Sequence, residues 1–493
     1  MNDVEKVLEQ FLEIESERDF FNTLLVNDVK VWHYIRKAIH DMIVEKKCGI
    51  VNPNSLKKKY EKERGFVNWI DTNILKNQFR VSRKDVLIIN HERRMKEGEY
   101  YRCIYTDEWL KKFNASYYVF EHAYSGLIHF KPVLTKNLRY IDKQKYNKIF
   151  KKEYNDKDFG REIAKVTRCI TDMIENDFKL KLTGQDVKRI NQLLRGTVNG
   201  REICREYWHY ILKKIQPKVI IYVVGYFLDN MVLAELGKEL GIPTIEITHG
   251  HIGRGHVAYN LLRKEQLIGF ADYLFVPGQH EVDSMRVPIP VENIFVVGSP
   301  EIEKKRDYYE KVIATKKKKK KIITFISSGE AEIADCALEL SRKLDENKYK
   351  IYFKLHPSEY TTWENKYSRL KDAKVHVVDD SEHDIYYYLA VSDYVIGIAS
   401  GAMFEATFFD CLILILKRAR YHEAAELVST QNAIYIDTMD EAIEIIKSVV
   451  AEKRKSDYFY CENSVRKIQK AINEIGGLHN ECGCGDSGKI SIW

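Results

Sequence analysis

Two stretches of the sequence combine the residue types that hold a phosphate. YKIYFKLHPSEY, residues 349–360, is a β-rich apolar run that stops at His356-Pro357. In SDYVIGIASGAMFEATFFDCLILIL, residues 392–416, a second run stops at Ser400-Gly401, a helix-like AMFEATF follows, and a third apolar run closes the unit. Strand, loop, helix, strand at this spacing is the grammar of a βαβ unit in a parallel sheet. Ligands of such sheets sit beyond the carboxyl ends of the strands, where His356 and Ser400 are expected at neighbouring tips. Backbone N–H groups and the helix dipole at Ser400-Gly401 favour an anion by roughly 0.3–1 kcal/mol. A similar junction recurs at Ser327-Ser328-Gly329, where KIITFISSGEAEIADCALELSRKL starts another strand–loop–helix. The chemistry expected here is a nucleotide phosphate cradle built from Lys354, His356, Pro357, Ser400 and Gly401, completed by Ser327, Ser328 and Gly329. The plainer readings are that His356 caps a strand and Ser400 is only a helix N-cap.

A second set lies in HGHIGRGHVAY, residues 249–259, with His249, His251 and His256, Arg254 and three glycines. Glycines permit close backbone approach to a ligand. Their order is G-x-x-G-x-G, so a dinucleotide fingerprint is not met. Three histidines on an irregular loop lack a recognised zinc spacing, and the loop reads as substrate-facing, with no metal. His249 and His251 are candidate bases, since a neutral imidazole near its ordinary pKa can accept a proton. Glu92 is a third, in the His91-Glu92-Arg93-Arg94 run after the short strand Val86–Asn90. His91, Arg93 and Arg254 would then meet an acceptor; a solvated turn with a salt bridge accounts for the run equally well. Asp156-Lys157-Asp158 has the D-x-D pattern of a cation site but follows no apolar strand, and reads as a solvated helix face. Cys482 and Cys484, with His479 nearby, lack a second cysteine pair at zinc spacing and read as a frayed tail.

The elements that must position these groups follow from length and patterning. A chain of 493 residues, 45% hydrophobic and 31% charged, predicts about two to four soluble domains. The net charge of +7 is modest, so nucleic acid is not indicated as a partner. The lysine run 316–321 reads as a solvated linker and leaves contact with anionic lipid open. Nine scattered cysteines argue for a reducing compartment. The acidic, amphipathic start shows no signal peptide, and no apolar run approaches a membrane span. The protein is therefore expected in the cytoplasm, with the inner face of the cell membrane left open. Residues 1–75 read as a helical N-terminal extension, and 76–300 as a parallel-sheet domain with a charged helical insert over 140–215. Residues 301–455 read as a second parallel-sheet domain, and 456–493 as a last helix and tail. The fold class expected is α/β, with two Rossmann-like parallel-sheet domains facing a cleft.

Two tandem domains of this kind resemble the GT-B glycosyltransferases. KLHP, Lys354 to Pro357, looks like the His-Pro motif of GT-B bacterial sialyltransferases and related capsule enzymes, which contacts the phosphate of a CMP-sugar. IASGAMFEA, Ile398 to Ala406, is similar to their serine motif, which binds the same phosphate. IPTIEITHGHIGRGHVAY, Ile242 to Tyr259, looks like the acceptor-side loop of bacterial surface-polysaccharide transferases, with Thr248 where those carry Gln. The resemblance covers roughly residues 80–450. It implies transfer from a nucleotide-sugar, CMP-linked acidic sugars before UDP-sugars, to a surface polysaccharide or glycolipid. No metal or cofactor is implied, the nucleotide-sugar being a substrate. Glu405 would accept hydrogen bonds from ribose hydroxyls, or simply favour the helix N-terminus. The acidic base motif of the sialyltransferases is missing, and Glu97-Gly98-Glu99 is a poor substitute. The alternatives are a CDP-polyol phosphotransferase, a UDP-sugar 2-epimerase and a non-catalytic polysaccharide-assembly scaffold. An oligomer formed through the N-terminal helices is left open.

Overall fold

A computed structural model of the chain describes residues 3–49, 70–124, 129–151, 157–263, 265, 267–315, 319–371, 374–380, 382–448 and 456–478. Seven parallel strands make the first sheet: β1 (Val86–Asn90), β2 (Tyr117–His122), β3 (Leu138–Ile141), β4 (Val219–Val223), β5 (Thr244–Ile247), β6 (Tyr273–Val276) and β7 (Ile294–Val296). Their order is β7-β6-β5-β4-β1-β2-β3. Six parallel strands make the second: β8 (Lys321–Ile326), β9 (Tyr349–Lys354), β10 (His376–Val378), β11 (Tyr394–Gly397), β12 (Leu412–Leu416) and β13 (Ala433–Ile436). Its order is β10-β9-β8-β11-β12-β13. Counted from its own first strand each sheet reads 3-2-1-4-5-6, with β7 added at one edge of the first. That order reverses between strands one and four and leaves a crevice there. The crevices lie between β1 and β4 and between β8 and β11. Central strands such as VLIIN, VIIYV and LILIL are buried along their whole length, as strands covered by helices on both faces must be.

The N-terminal helices α1 (Asp3–Glu17) and α2 (Trp32–Cys48) form where the apolar spacing predicts them. Between them Leu25–Val26 pairs antiparallel with Val29–Lys30. Asn27 and Asp28 both take left-handed φ values, 49° and 58°, which a primed hairpin turn requires. The helices share one core with α3 (Lys157–Asn176) and α4 (Gly184–Ile215), and with the loop after β5: Phe11, Trp32, Ile39, Ile170, Leu194 and Tyr259 belong to one buried cluster. Buried Arg36 fixes this junction, donating to Glu15 (2.9 and 2.6 Å) and to the Asn260 carbonyl (3.1 Å). β3 is a strand at the start of a region expected to be a charged helix. Its buried Leu138 and Tyr140 pack against β1 and β2.

The helix α5 (Leu228–Leu240) ends at Gly241 in the left-handed conformation, which glycine adopts without a Cβ penalty. The connecting helix α6 (Pro300–Ala314) lies against a separate two-stranded hairpin of the first domain, Met95–Glu97 with Tyr100–Arg102. Glu97 there pairs with Arg102 and with Lys304 (3.0 Å), and Glu301 pairs with Arg102. The chain finally returns to the first sheet, where Ile468, Ala471 and Ile472 of α7 (Ser464–Ile475) join Val86, Ile88 and Val119. Residues 458–461 run along the tips of β6 and β7, with Cys461 N donating to Pro277 O (3.0 Å). A Cβ at Gly278 would collide with the Phe459 backbone. No helix among the described residues is long and apolar enough to cross a membrane. Asp156, residues 316–318 of the lysine run, and the His479, Cys482 and Cys484 tail lie outside the described residues. Asp158 is exposed and paired with Arg161 (2.9 Å).

Candidate functional site

The tips of the second sheet carry most of the expected phosphate residues, with one correction to their order. β8 lies between β9 and β11, so His356 and Ser400 flank a strand rather than occupy neighbouring tips. The intervening tip is Ser327-Ser328-Gly329. Ser400 is extended and its side chain accepts from Ala402 N (3.3 Å), which starts the short helix Gly401–Glu405. Gly401 is exposed, and a Cβ there would meet no described atom within 4 Å. Gly329 has φ 99°, a conformation that favours glycine, and Ser328 Oγ donates to Glu330 (2.5 Å).

Ser327 turns inward instead, donating to the buried Glu359 carboxylate (2.7 Å). Glu359 also accepts from Tyr367 Oη (2.6 Å), Lys366 Nζ (3.2 Å) and His356 N (3.1 Å). Burial raises its pKa, but the Tyr367, Ser327 and Lys366 hydrogen bonds outweigh it and hold the carboxyl below the usual range. His356 is exposed; its Nδ1 accepts from Ser358 N (3.3 Å) and caps the turn Pro357–Glu359. His356 thus caps the turn that follows rather than the strand before it, with its ring exposed. Lys354 is buried, its ammonium 2.5 Å from Tyr360 Oη and 4.8 Å from that ring's centre. Glu359 was legible in the sequence: H-P-S-E places a carboxylate three residues after a cap, the spacing of a capping box.

Opposite stand the tips of the first sheet. His249 follows β5, its Nε2 3.3 Å from Tyr226 Oη and its carbonyl accepting from Tyr105 Oη (3.0 Å). Burial, then the nearby His91 and Lys37 charges, push its pKa down to about 4. The imidazole is therefore neutral at pH 7 but a weaker base than an unperturbed histidine. His91 is likewise lowered, chiefly by burial; its Nδ1 accepts from Arg93 N (3.0 Å) and its ring lies against Tyr105 and Phe227. Glu92 is half-buried beside it (3.8 Å), and Arg93 is exposed.

The two domains touch through the other loop histidine. The His251 ring stacks on Phe404 of the second domain, centroids 3.7 Å apart and 18° from parallel. The exposed Arg254 reaches Glu426 (3.5 Å), also of the second domain. His280, at the β6 tip, lies 2.8 Å from Glu426 through Nε2. Burial lowers the His280 pKa, but the adjoining Glu281 and Glu426 carboxylates outweigh it and push it up to about 9.

Glu405 is a strongly perturbed acid at these tips. Burial pushes it up to about 7, against the Tyr386 hydrogen bond and with the Glu301 and Asp384 charges. It also acts electrostatically on Tyr105 of the first domain and on Tyr460 of the returning segment. The face thus offers an open Ser/Gly turn for an anion, a carboxyl able to exchange a proton near neutrality, and a wall of tyrosine and histidine. The motifs gave no sign of Tyr105, Tyr226, Tyr386 or Glu426, whose partners lie far along the chain, and His280-Glu281 follows the strand ADYLFVPG with no role marked by its spacing.

No family model matches the sequence. No curated protein matches it significantly. Among solved structures, the fold is similar to UDP-GlcNAc 2-epimerase from Neisseria meningitidis bound to UDP-GlcNAc, at 14% identity and a TM-score of 0.46 over 79% of this chain and 99% of that one. It is also similar to the wall teichoic acid polymerase TagF (11%, 0.44, 83% and 93%) and to Acinetobacter baumannii MurG (10%, 0.41, 79% and 99%). Likeness at this level says nothing of what this chain does.

Proposed function

We propose that this chain is a nucleotide-sugar-dependent glycosyltransferase that seats the donor phosphate at the crevice between β8 and β11. One observation carries the reading: at the point where strand order reverses, Ser400 and Gly401 start a helix, and no described residue lies within 4 Å of a Cβ built on Gly401. Backbone N–H groups at such a turn stabilise the charge that builds on a leaving phosphate. The KLHP and IASGAMFEA resemblances favour a CMP-linked acidic sugar, with UDP-sugars next. Glu405, near neutrality, is better matched to proton transfer than His249. His91, Arg93 and Arg254 stand on the acceptor side, where a surface polysaccharide or glycolipid would approach from the cytoplasmic face of a membrane.

The same carboxyl also suits a UDP-sugar 2-epimerase, which needs proton exchange at one site and no acceptor. Incubation with CMP-, UDP- and CDP-activated donors, with and without an oligosaccharide acceptor, separates these readings. Transfer predicts nucleotide release that rises with acceptor and collapses in Glu405→Gln. Free epimerised sugar formed from UDP-GlcNAc without acceptor moves the assignment to the epimerase. Tight nucleotide binding without turnover of any donor contradicts both and leaves a scaffold.

A further inference from the structure

Beside the cleft, and independently of the nucleotide reading, three side chains converge on one point. Glu281 Oε1 lies 3.5 Å from His251 Nδ1 and 3.6 Å from His280 Nδ1. One ligand atom from each of the three lies within 4.8 Å of the other two. His280 and Glu281 are only 2% and 1% exposed, yet His280 Nδ1 and Glu281 Oε2 have no hydrogen-bond partner among the described residues. The far edges of both rings face another carboxylate, with Glu426 Oε2 2.8 Å from His280 Nε2 and 3.7 Å from His251 Nε2. Ser284 Oγ also lies 3.0 Å from His280 Nε2. A carboxylate on one imidazole nitrogen holds the N–H there, so the proton an incoming cation displaces is the one on Nδ1, and the lone pair it uncovers becomes the ligand. Both lone pairs then point at Glu281.

We propose that His251 Nδ1, His280 Nδ1 and the Glu281 carboxylate bind a divalent transition ion of the zinc class, with Glu426 orienting both rings from behind. Bonds of 2.0–2.2 Å around a tetrahedral zinc put its ligand atoms about 3.3–3.6 Å apart. The separations of 3.5 and 3.6 Å already meet that condition. Two imidazoles and one carboxylate suit zinc, cobalt or nickel better than magnesium or calcium, and leave a fourth position for water. The three ligands belong to the first domain and Glu426 to the second, so the ion ties the two domains together through the His280–Glu426 bond. The sequence spacing missed this set because it takes only one of the three loop histidines. Its other members come from the tip of the next strand.

Equilibrium dialysis of the full chain against Zn2+ alone and Co2+ alone tests the site. The wild type is expected to hold about one equivalent, with the visible absorption of four- or five-coordinate Co2+. Glu281→Gln and the half-buried, better-tolerated His251→Gln should each weaken binding by about 100-fold or more. Glu426→Gln, which removes only the outer carboxylate, should weaken it by about 10–100-fold. The double variant Cys482→Ala/Cys484→Ala should leave that equivalent in place. No stoichiometric ion, binding unchanged in both Glu281→Gln and His251→Gln, or an ion lost with the two cysteines would each overturn the proposal. The cluster would then be an imidazolium held between two carboxylates.

Discussion

The two sheets share a strand order and differ in what fills the crevice. In the first, the tip of β4 is closed: Gly225 N donates to Glu246 Oε1 (2.7 Å), and a Cβ at Gly225 would collide with that carboxylate. At the tip of β1, Asn90 donates to Glu121 (3.2 Å) and accepts from Thr106 (2.5 Å), while buried Arg94 spans Glu121 and Asp107. In the second sheet the equivalent tips present Ser328, Gly329, Ser400 and Gly401, with the carboxylate Glu359 drawn below the surface. The first crevice is occupied at these tips by its own carboxylates, and the second leaves the Gly401 edge exposed. The topology supplies two equal places for a ligand, and the side chains around each decide which is used.

The comparison can be broken at four points, the largest expected effect first. Glu246 is buried and pushed up to about 7 by burial, against hydrogen bonds from Tyr259 and the Gly225 amide. Between its ordinary value of 4.5 and about 7 the folded state holds a proton that the unfolded state has lost. Stability therefore falls as pH rises through that window, by about 3 kcal/mol in total. Urea unfolding of Glu246→Gln should match wild type near pH 5 and exceed it by about that amount near pH 8. Glu405→Gln should show the same sign with a smaller amplitude, because Glu405 is only half-buried and solvent screens part of the effect. A flat difference between pH 5 and 8 would contradict the closed-crevice description.

Gly225→Ala comes next. Packing a methyl against Glu246 should cost about 1–3 kcal/mol in urea unfolding, while any nucleotide-induced stabilisation survives. Gly401→Ala is the mirror experiment. It should leave stability within about 0.5 kcal/mol and weaken nucleotide binding about tenfold, or about 1.4 kcal/mol. Equal stability losses at Gly225 and Gly401 would erase the distinction between the two crevices.

Much of this was legible in the sequence, and what was not has a common cause. Strands such as β1, β4 and β12 announce themselves as apolar runs because both of their faces are buried. The short strands β3 and β10 carry no such run and were not visible. Strand order is set by pairing between distant segments, so the insertion of β8 between His356 and Ser400 could not be read from their spacing. The hairpin at Asn27-Asp28 was hidden because its polar residues pass for the outer face of a helix. The serine and glycine tips were found because a turn chemistry marks them locally. The His280–Glu426 contact joins residues 146 apart in the chain, and no local pattern encodes it. His249 was a reasonable base by type, but its depth in the fold, which lowers its pKa, appears only in three dimensions.

Thermal unfolding with CMP, CDP, UDP, GDP and ADP, on wild type and on His356→Ala, Gly401→Ala and His249→Ala, tests the open crevice most directly. A ligand at 100 times its dissociation constant stabilises the fold by about 2.7 kcal/mol. The account predicts a shift with a pyrimidine nucleotide that is reduced in His356→Ala, weakened in Gly401→Ala and retained in His249→Ala. No shift with any nucleotide, or a shift that survives in Gly401→Ala and disappears in His249→Ala, would contradict it.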